Sequence, residues 1–182
     1  MMTLSANFAD CPCTPSVHID LQVMSQGIQP KMSRRKFSNN LVTLRELSKT
    51  LEDQSRLTYV RYGTEHMLIS LAELPKSRAA ALLSEEDFSS EKALVELEAI
   101  KGKVNPNKTQ AVDTAWGPTA YELLRAAEAL AGRYSSDCVD DLHLLLAIVQ
   151  NPKCGAYQLL KKLKINHQRI EAALIKKLTE KA

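Results

Sequence analysis

One segment of the chain occurs twice, 77 residues apart. Residues 64–74 read TEHMLISLAEL, residues 141–151 read DLHLLLAIVQN, and the two align without a gap. A match at a fixed spacing indicates one structural unit used twice, and this spacing is longer than a solenoid repeat and too long for one helix pair. The repeat therefore predicts two half-domains that pack against each other. The matching positions include His66 with His143, Leu68 with Leu145, Pro75 with Pro152, Lys76 with Lys153 and Leu82-Leu83 with Leu159-Leu160.

The composition favours helices over strands. Of the 182 residues, 45% are hydrophobic but only 5% are aromatic, and six are glycines. Strands draw on β-branched and aromatic residues, whereas this chain is rich in Leu and Ala. We therefore predict an all-α fold of eight helices, arranged as two pseudo-symmetric repeats of four helices each, with a flexible N-terminal tail.

Hydrophobic spacing and capping residues place these helices. Thr64 and Asp141 occupy equivalent positions and are predicted to cap the second helix of each half. Pro75 stops that helix in the first half and is suited to open the next one. Asn166 is predicted to cap the last helix. The predicted helices cover about 41–55, 64–74, 75–83 and 89–100 in the first half, and 118–131, 142–150, 155–163 and 167–178 in the second.

The predicted helices define the organisation of the chain. The N-terminal segment contains Pro and Gly but no sustained hydrophobic period, which is typical of a disordered tail or a leader. Met1 and Met32 are both plausible starts of the protein. The prediction assigns residues 1–38 to this tail, 39–101 to the first repeat, 102–113 to a polar linker and 114–182 to the second repeat.

Charge, cysteine content and apolar runs exclude several classes of protein. The net charge is only +3, and the pI of about 8.6 is lower than that of strongly basic nucleic-acid modules. The four cysteines show no metal-ligand spacing and are interpreted as reduced thiols. The sequence has no run of 18 apolar residues, so it predicts no membrane span.

A basic run near the N-terminus leaves a second function open. Lys31, Arg34, Arg35 and Lys36 could bind phosphates in a salt-sensitive manner, which would make the chain a helical regulator that binds nucleic acid. The same run fits a solvated tail that keeps the domain soluble, and we favour that interpretation.

Four further residues invite a functional assignment. His66 and His143 are interpreted as packing histidines bonded to a neighbouring loop, because no further metal ligands lie near them at helical spacing. Cys138 lies five residues before His143, but no orienting acid accompanies the pair and no catalytic residue is predicted. Trp116, the single tryptophan, either packs at the junction between the halves or anchors a bound peptide.

Two phrases in the sequence resemble a known family. GTEHMLISL at residues 63–71 is similar to the GTEHLLLGL signature of the Clp N-terminal (Clp R) domain, and WGPTAYELL at residues 116–124 is similar to the phrase that opens a repeat there. The resemblance covers about residues 40–180. It implies a non-catalytic domain that receives substrate and adaptor proteins, with a Clp/Hsp100 unfoldase or the Clp protease core as partner. It also implies the bacterial cytoplasm, with the plastid stroma as the alternative.

The resemblance does not extend to a motor. The sequence contains no GxxxxGK[ST] phosphate-binding loop, so no nucleotide or other cofactor is predicted. The chain ends where the ATPase modules of the family begin, and we therefore expect a standalone accessory or adaptor form. The predicted partner contacts are Thr64, Glu65 and Trp116.

The resemblance also has an implication for one carboxylate. Some Gram-positive relatives use the glutamate of the GTEH phrase, with a threonine at the start of the preceding helix, to recognise phosphoarginine. Glu65 keeps that glutamate in the first half, whereas Leu142 takes its place in the second. The threonine positions correspond to about Asn40 and to Gly117. A site that depends on this carboxylate is therefore expected in the first half only.

Overall fold

The computed structural model describes residues 36–38, 41, 61–101 and 113–180. The predicted tail before Lys36, the basic run before that residue and the predicted linker up to residue 112 lie outside these ranges. The predicted first helix also lies outside them, except for Leu41, which is helical and buried.

The described residues contain seven helices, so the predicted count of eight is off by one. Three helices lie in the first half and four in the second, because the region of the predicted helix 41–55 lies outside the described residues. The helices are α1 (Thr64–Glu73), α2 (Arg78–Glu85), α3 (Ser90–Lys101), α4 (Pro118–Arg133), α5 (Asp141–Val149), α6 (Gly155–Lys162) and α7 (His167–Thr179).

The sequence repeat is a repeat of structure. The starts of α1, α2 and α3 precede the starts of α5, α6 and α7 by 77 residues in each case. Even a backbone detail recurs: Asp87, between α2 and α3, has a φ of 59°, and Lys164, its equivalent between α6 and α7, has a φ of 58°. The duplication predicted from the sequence is therefore confirmed over these three helix pairs.

Short strands connect the two halves, and the all-α prediction did not include them. They are β1 (Lys36–Phe37), β2 (Arg61–Tyr62), β3 (Asp113–Trp116) and β4 (Cys138–Val139). β1 pairs with β4 and β2 with β3, both in parallel, so each pair joins a strand that precedes α1 to a strand that follows α3. β1 lies within residues 1–38, which the prediction assigns to the tail. Strands of two to four residues are too short to show the alternation that marks a strand in sequence, which is why the sequence did not reveal them.

The core is built around α5. Every one of its nine residues is buried, and Leu144, Leu145 and Leu146 have no exposed surface. A helix that is apolar on all sides lies inside a protein, and α5 accordingly packs against α4 on one side and α7 on another. Burying each leucine contributes about 1.5–3 kcal/mol. None of the helices in the described ranges is long and apolar enough to cross a membrane.

The caps of α1 and α5 differ from the prediction by one residue. Thr64 and Asp141 are the first helical residues rather than the caps, and Gly63 and Asp140 hold the capping positions. The Asp140 Oδ1 atom accepts a hydrogen bond from the amide of His143 at 3.3 Å. Predicting Thr64 and Asp141 as caps was therefore wrong, because each helix begins one residue earlier; their oxygens serve another purpose, described below.

The start of α2 also differs from the prediction. Pro75 follows α1 closely, as expected, but it does not open α2. Lys76 has a left-handed φ of 59°, which interrupts the helical path. Ser77 then caps α2, and its Oγ accepts a hydrogen bond from the amide of Ala80 at 3.0 Å. The predicted cap of the last helix is confirmed, since Asn166 accepts from an amide in the first turn of α7.

Candidate functional site

Two equivalent junctions hold the halves together. At the first junction, formed by residues 63–65 and 154–156, Thr64 Oγ1 accepts a hydrogen bond from the amide of Ala156 at 3.0 Å. At the second junction, formed by residues 140–142 and 77–79, Asp141 Oδ2 accepts one from the amide of Ala79 at 3.1 Å. The first amides of a helix have no partner inside that helix. Thr64 and Asp141 therefore each satisfy the start of a helix in the opposite half.

The second junction is closed by its own side chains. The Ser77 hydroxyl donates to Asp141 Oδ2 at 2.5 Å, and Arg78 Nη2 donates to Asp140 Oδ2 at 2.7 Å. Both aspartates are almost fully buried, at 3% and 2% exposure. Carboxylates at this depth are stable only when they are paired and hydrogen-bonded, and here they are.

The protonation of Asp140 reflects these contacts. Burial by itself raises the pKa of this carboxyl group, but the hydrogen bond and positive charge of His143 and the positive charge of Arg78 outweigh burial and hold the pKa below its ordinary value. The ring nitrogen Nδ1 of His143 lies 3.2 Å from the Asp140 amide and 2.6 Å from Asp140 Oδ1.

The first junction is built around one carboxylate and two glycines. A Cβ atom on Gly63 would lie 2.6 Å from Glu65 Oε2, and a Cβ atom on Gly155 would overlap the Glu65 carboxyl group. Glu65 therefore lies across both glycines, at the N-terminal end of α6. The Thr64 hydroxyl donates to Glu65 Oε2 at 3.3 Å while it accepts from Ala156. The glycines are needed here because any larger residue would displace the carboxylate.

Cys154 caps α6 close to Glu65. Its Sγ caps this helix by accepting from the amide of Tyr157 at 3.4 Å, as the equivalent Ser77 does for α2. Burial raises the pKa of the Cys154 thiol, and the negative charge of Glu65 raises it further. Cys154 and Cys138 are both buried.

The two junctions carry different residues at equivalent positions. The repeat equivalents of Gly63 and Gly155 are Asp140 and Arg78, the partners of the ion pair. At the first junction that pair is replaced by two glycines, and Glu65 lies over the space that they leave. The equivalent of Glu65 is Leu142, which is fully buried. The second junction thus holds a guanidinium from the chain itself, and the first holds the carboxylate of Glu65, a partly exposed residue.

The third predicted contact, Trp116, lies near this carboxylate along the backbone. It is the last residue of β3 and pairs with Tyr62 in β2, whose next residue, Gly63, belongs to the first junction. The parallel β2–β3 pair thus places the backbone of Trp116 one step from Gly63. The structure therefore brings Thr64 and Glu65 together and sets the Trp116 backbone beside them, and their role in binding stays a prediction.

Both repeated histidines serve packing, as the sequence indicated. His66 is 3% exposed and its Nδ1 accepts from the amide of Gly63 at 3.1 Å, the same bond that His143 forms with Asp140. The other ring nitrogen of His143 lies 3.1 Å from the hydroxyl of Ser136, so the ring is occupied on both sides. Within the described ranges no group of three or more His, Cys, Asp or Glu side chains could hold a metal ion.

The junctions themselves were not recognised from the sequence. The signal was present in the repeat alignment, where Gly63 and Gly155 both differ from their equivalents Asp140 and Arg78. One repeat pairing has two glycines where the other has two opposite charges. Such a joint difference indicates that Gly63 lies near Gly155 and that Asp140 lies near Arg78. Without the cross-half contacts, each difference reads as an ordinary loop substitution.

The comparisons with known proteins agree with this architecture. The family model of the Clp repeat (R) N-terminal domain matches residues 36–163. The chain belongs to this family. It is also similar to the ATP-dependent Clp protease ATP-binding subunit ClpC of Staphylococcus saprophyticus, with 25% identity over 134 residues, and of Staphylococcus aureus, with 24% identity. These alignments cover 74% of this chain but only 16% of either relative.

Two solved structures share the fold. The N-terminal domain of the caseinolytic protease associated chaperone ClpD from Arabidopsis thaliana superposes with a TM-score of 0.60 at 16% identity, covering 79% of this chain and 97% of that one. A chain from a structural study of a malarial protein secretion system gives a TM-score of 0.57 at 22% identity, covering 79% and 95%. At these identities the likeness concerns the fold alone.

Proposed function

We propose that this chain is a non-catalytic accessory or adaptor protein of a Clp chaperone–protease system, and that it binds proteins at the first junction. The observation that carries the proposal is the position of Glu65. Its partly exposed carboxylate lies over Gly63 and Gly155, where the equivalent junction holds the Asp140–Arg78 pair. The family membership supports the system, and the junction supports the site.

The second junction supports a basic group as the ligand of the first. There a guanidinium lies 2.7 Å from a carboxylate beside the start of a helix. A carboxylate accepts the forked donors of arginine with good geometry, and such charged hydrogen bonds are stronger than neutral ones. At the first junction Glu65 supplies a carboxylate of the same kind, and the Thr64 hydroxyl donates to it at 3.3 Å. A basic side chain of a bound protein is the ligand that we infer for this carboxylate.

The proposal assigns no chemistry to the chain. His66 and His143 are buried and bonded to backbone amides, which leaves them as structural groups. The staphylococcal relatives are ATP-binding subunits of an ATP-dependent protease, and this chain matches only a small part of them. We infer that the matched part acts as a binding module, with an unfoldase or protease subunit of the Clp type and its substrates as partners.

Affinity capture of the full chain, followed by mass spectrometry, tests the proposed system. The bait is compared with Glu65→Gln, which keeps the shape of the side chain but removes its charge. Glu73→Gln, at the exposed end of α1, is the matched control. We expect Clp subunits with the unchanged chain and with Glu73→Gln, and clearly reduced recovery with Glu65→Gln. Capture without any Clp component would contradict the accessory role.

Calorimetric titration with short peptides tests the proposed site separately. Peptides of one sequence carry arginine, phosphoarginine, lysine or citrulline at one position. Hydrogen bonds to charged groups contribute about 1.5–3 kcal/mol, so we expect Glu65→Gln to weaken binding of the preferred basic peptide by roughly 10-fold or more. Equal binding of the citrulline peptide would show that the carboxylate does not read a charge.

A further inference from the structure

The two halves carry opposite charges, although they have the same fold. Residues 64–101 contain eight acidic and four basic side chains, whereas the equivalent residues 141–178 contain two acidic and seven basic ones. Residues 64–101 therefore have an excess of four negative charges, and residues 141–178 have an excess of five positive charges. A net charge of +3 for the whole chain conceals this separation.

Part of this charge is neutralised between the halves. Arg169 Nε lies 3.0 Å from Glu86 Oε1, and Lys162 Nζ lies 3.4 Å from Glu96 Oε1. These contacts involve the sides of the helices that face the opposite half. The outward sides of α3 and α7 lie elsewhere, and their charges are exposed. Among them, Lys176 Nζ lies 3.9 Å from Glu180 Oε1 of its own chain.

The outward faces of α3 and α7 are equivalent in position but complementary in character. Residues at spacings of four, seven and eight share one face of a helix. On α3 the outward face holds two acidic residues, a valine and an alanine; on α7 it holds a lysine, an isoleucine, an alanine and a glutamine. These are Glu91, Val95, Glu98 and Ala99 on α3, and Gln168, Ala172, Ile175 and Lys176 on α7.

These two helices also carry the exposed large apolar side chains of the described ranges. Val95 is 68% exposed, Ile100 is 45% exposed and Ile175 is 36% exposed. A single exposed apolar residue needs no explanation, but a set confined to two equivalent helices marks a surface that can be covered. The apolar residues and the opposite charges lie on the same two helices.

We propose that α3 of one copy of this chain docks on α7 of a second copy. Charge complementarity selects this occupant, because α3 presents Glu91 and Glu98 and α7 presents Lys176 in the same molecule. The apolar residues supply the centre of the contact and the charges its rim, which is the usual anatomy of an interface. The contact is separate from the first junction and does not depend on the function proposed for it.

The sequence of the two faces selects an antiparallel register. If Val95 lies against Ala172, an antiparallel pairing brings Glu91 to Lys176. Glu98 then lies opposite Arg169, whose guanidinium also contacts Glu86 of its own chain. A parallel pairing with the same central contact brings Glu91 to Gln168 and Glu98 to Ile175, which leaves both carboxylates without a cation. The antiparallel pairing also sets the small Ala172 opposite Val95, so the helices can approach closely.

Sedimentation equilibrium of the full chain tests the contact, at about 5–500 μM protein and at low and high salt, since exposed charge pairs are screened above about 0.15 M. We expect a mass that rises with concentration and an association that weakens with salt. If two copies form the contact in both directions, the product is a closed dimer. If each copy contacts a different neighbour through α3 and through α7, the products are open oligomers of increasing mass. A monomer at every concentration in low salt would overturn the proposal.

Charge reversal then tests the register. Lys176→Glu and Glu91→Lys should each raise the dissociation constant roughly five- to tenfold, because an attractive rim pair becomes a repulsive one. A chain that carries both changes should have a dissociation constant within about twofold of the original value. The lysine at position 91 then faces the glutamate at position 176, so the pair is attractive again. Lys153→Glu, an exposed lysine in the loop before α6, is the matched control and should change little.

Two results would contradict the proposal even if the chain associates. Weakening by Lys153→Glu to the same degree would show a general charge effect, and failure of the combined variant to restore association would exclude the antiparallel pairing. Val95→Asp should reduce association about tenfold or more while circular dichroism stays unchanged, because Val95 is mostly exposed. NMR amide signals of α3 should shift as the protein concentration rises. If they do not shift, α3 takes no part in the self-association and the proposal is wrong.

Discussion

The Ser77 hydroxyl donates to the Asp141 carboxylate at 2.5 Å across 64 residues of sequence. The same carboxylate oxygen accepts from the amide of Ala79. One side chain of the second half therefore satisfies both the capping residue and a first-turn amide of α2. Because Asp141 is 2% exposed, water cannot replace it.

Replacing Asp141 should destabilise the whole fold. Asp141→Ala leaves a buried hydroxyl and a buried amide without their acceptor, and we expect a loss of about 2–4 kcal/mol in the free energy of unfolding. Asp141→Thr introduces the residue found at the equivalent position 64 and should keep part of that stability. Urea denaturation measures both. Asp137→Ala, at an exposed position, is the control, and an equal loss there would contradict the prediction.

Stability should decrease in acid through Asp140. The pKa of this group is lower in the folded chain than its ordinary value of 3.8, so the unfolded chain binds a proton more readily. The contribution of Asp140 is fully present above the ordinary value and is lost as the pH falls through the lower, folded pKa. Urea denaturation at a series of pH values below about 5 should show a shallower decline for Asp140→Asn than for the unchanged chain. Asp137→Asn should keep the original slope; an unaltered slope in Asp140→Asn would refute the assignment.

Glu65 and Gly155 should be coupled. In the unchanged chain Gly155→Ala forces the carboxylate away from the start of α6, whereas in Glu65→Ala the added methyl group meets no carboxylate. Alanine is otherwise the better helix former by up to about 1 kcal/mol. A double-mutant cycle from urea denaturation should give a coupling energy of about 0.5–1.5 kcal/mol. A coupling near zero would mean that Glu65 does not rest on Gly155.

A glutamate at position 142, the equivalent of Glu65, should destabilise the second half. Leu142 has no exposed surface and lies beside Asp140 and Asp141, so Leu142→Glu buries a third negative charge there. We expect a loss of about 3–5 kcal/mol or failure to fold. The reverse change, Glu65→Leu, affects a partly exposed side chain and should cost less than about 1 kcal/mol. Thermal denaturation compares the two, and similar losses would show that the junctions are equivalent after all.

The parts of the fold that the sequence predicted are those with a local pattern. The 77-residue repeat and the apolar spacing within each helix indicated the two halves and the positions of α1 to α7 to within a few residues. Arg78 and Asp140 are 62 residues apart, and no periodicity connects them. The sequence predicts Thr64 and Asp141 as caps of their own helices. In the structure their side chains accept hydrogen bonds from amides of the other half, which no local pattern indicates. The sequence therefore indicated Glu65 as a candidate site residue, but it did not indicate that Glu65 lies against Gly155 of the other half.

The exchanged hydrogen bonds and strand pairs have a consequence for the origin of the chain. A single unit of this kind would leave its own helix starts and strand edges without partners, and only a second identical unit could supply them. Exchanging the two repeats leaves these contacts unchanged, as in a two-fold homodimer, and joining two such units in one chain would account for them. Fusion removes the requirement that both subunits change together. One junction could then acquire an arginine clamp while the other acquired a glutamate on two glycines, a divergence that an unfused pair of identical subunits could never make.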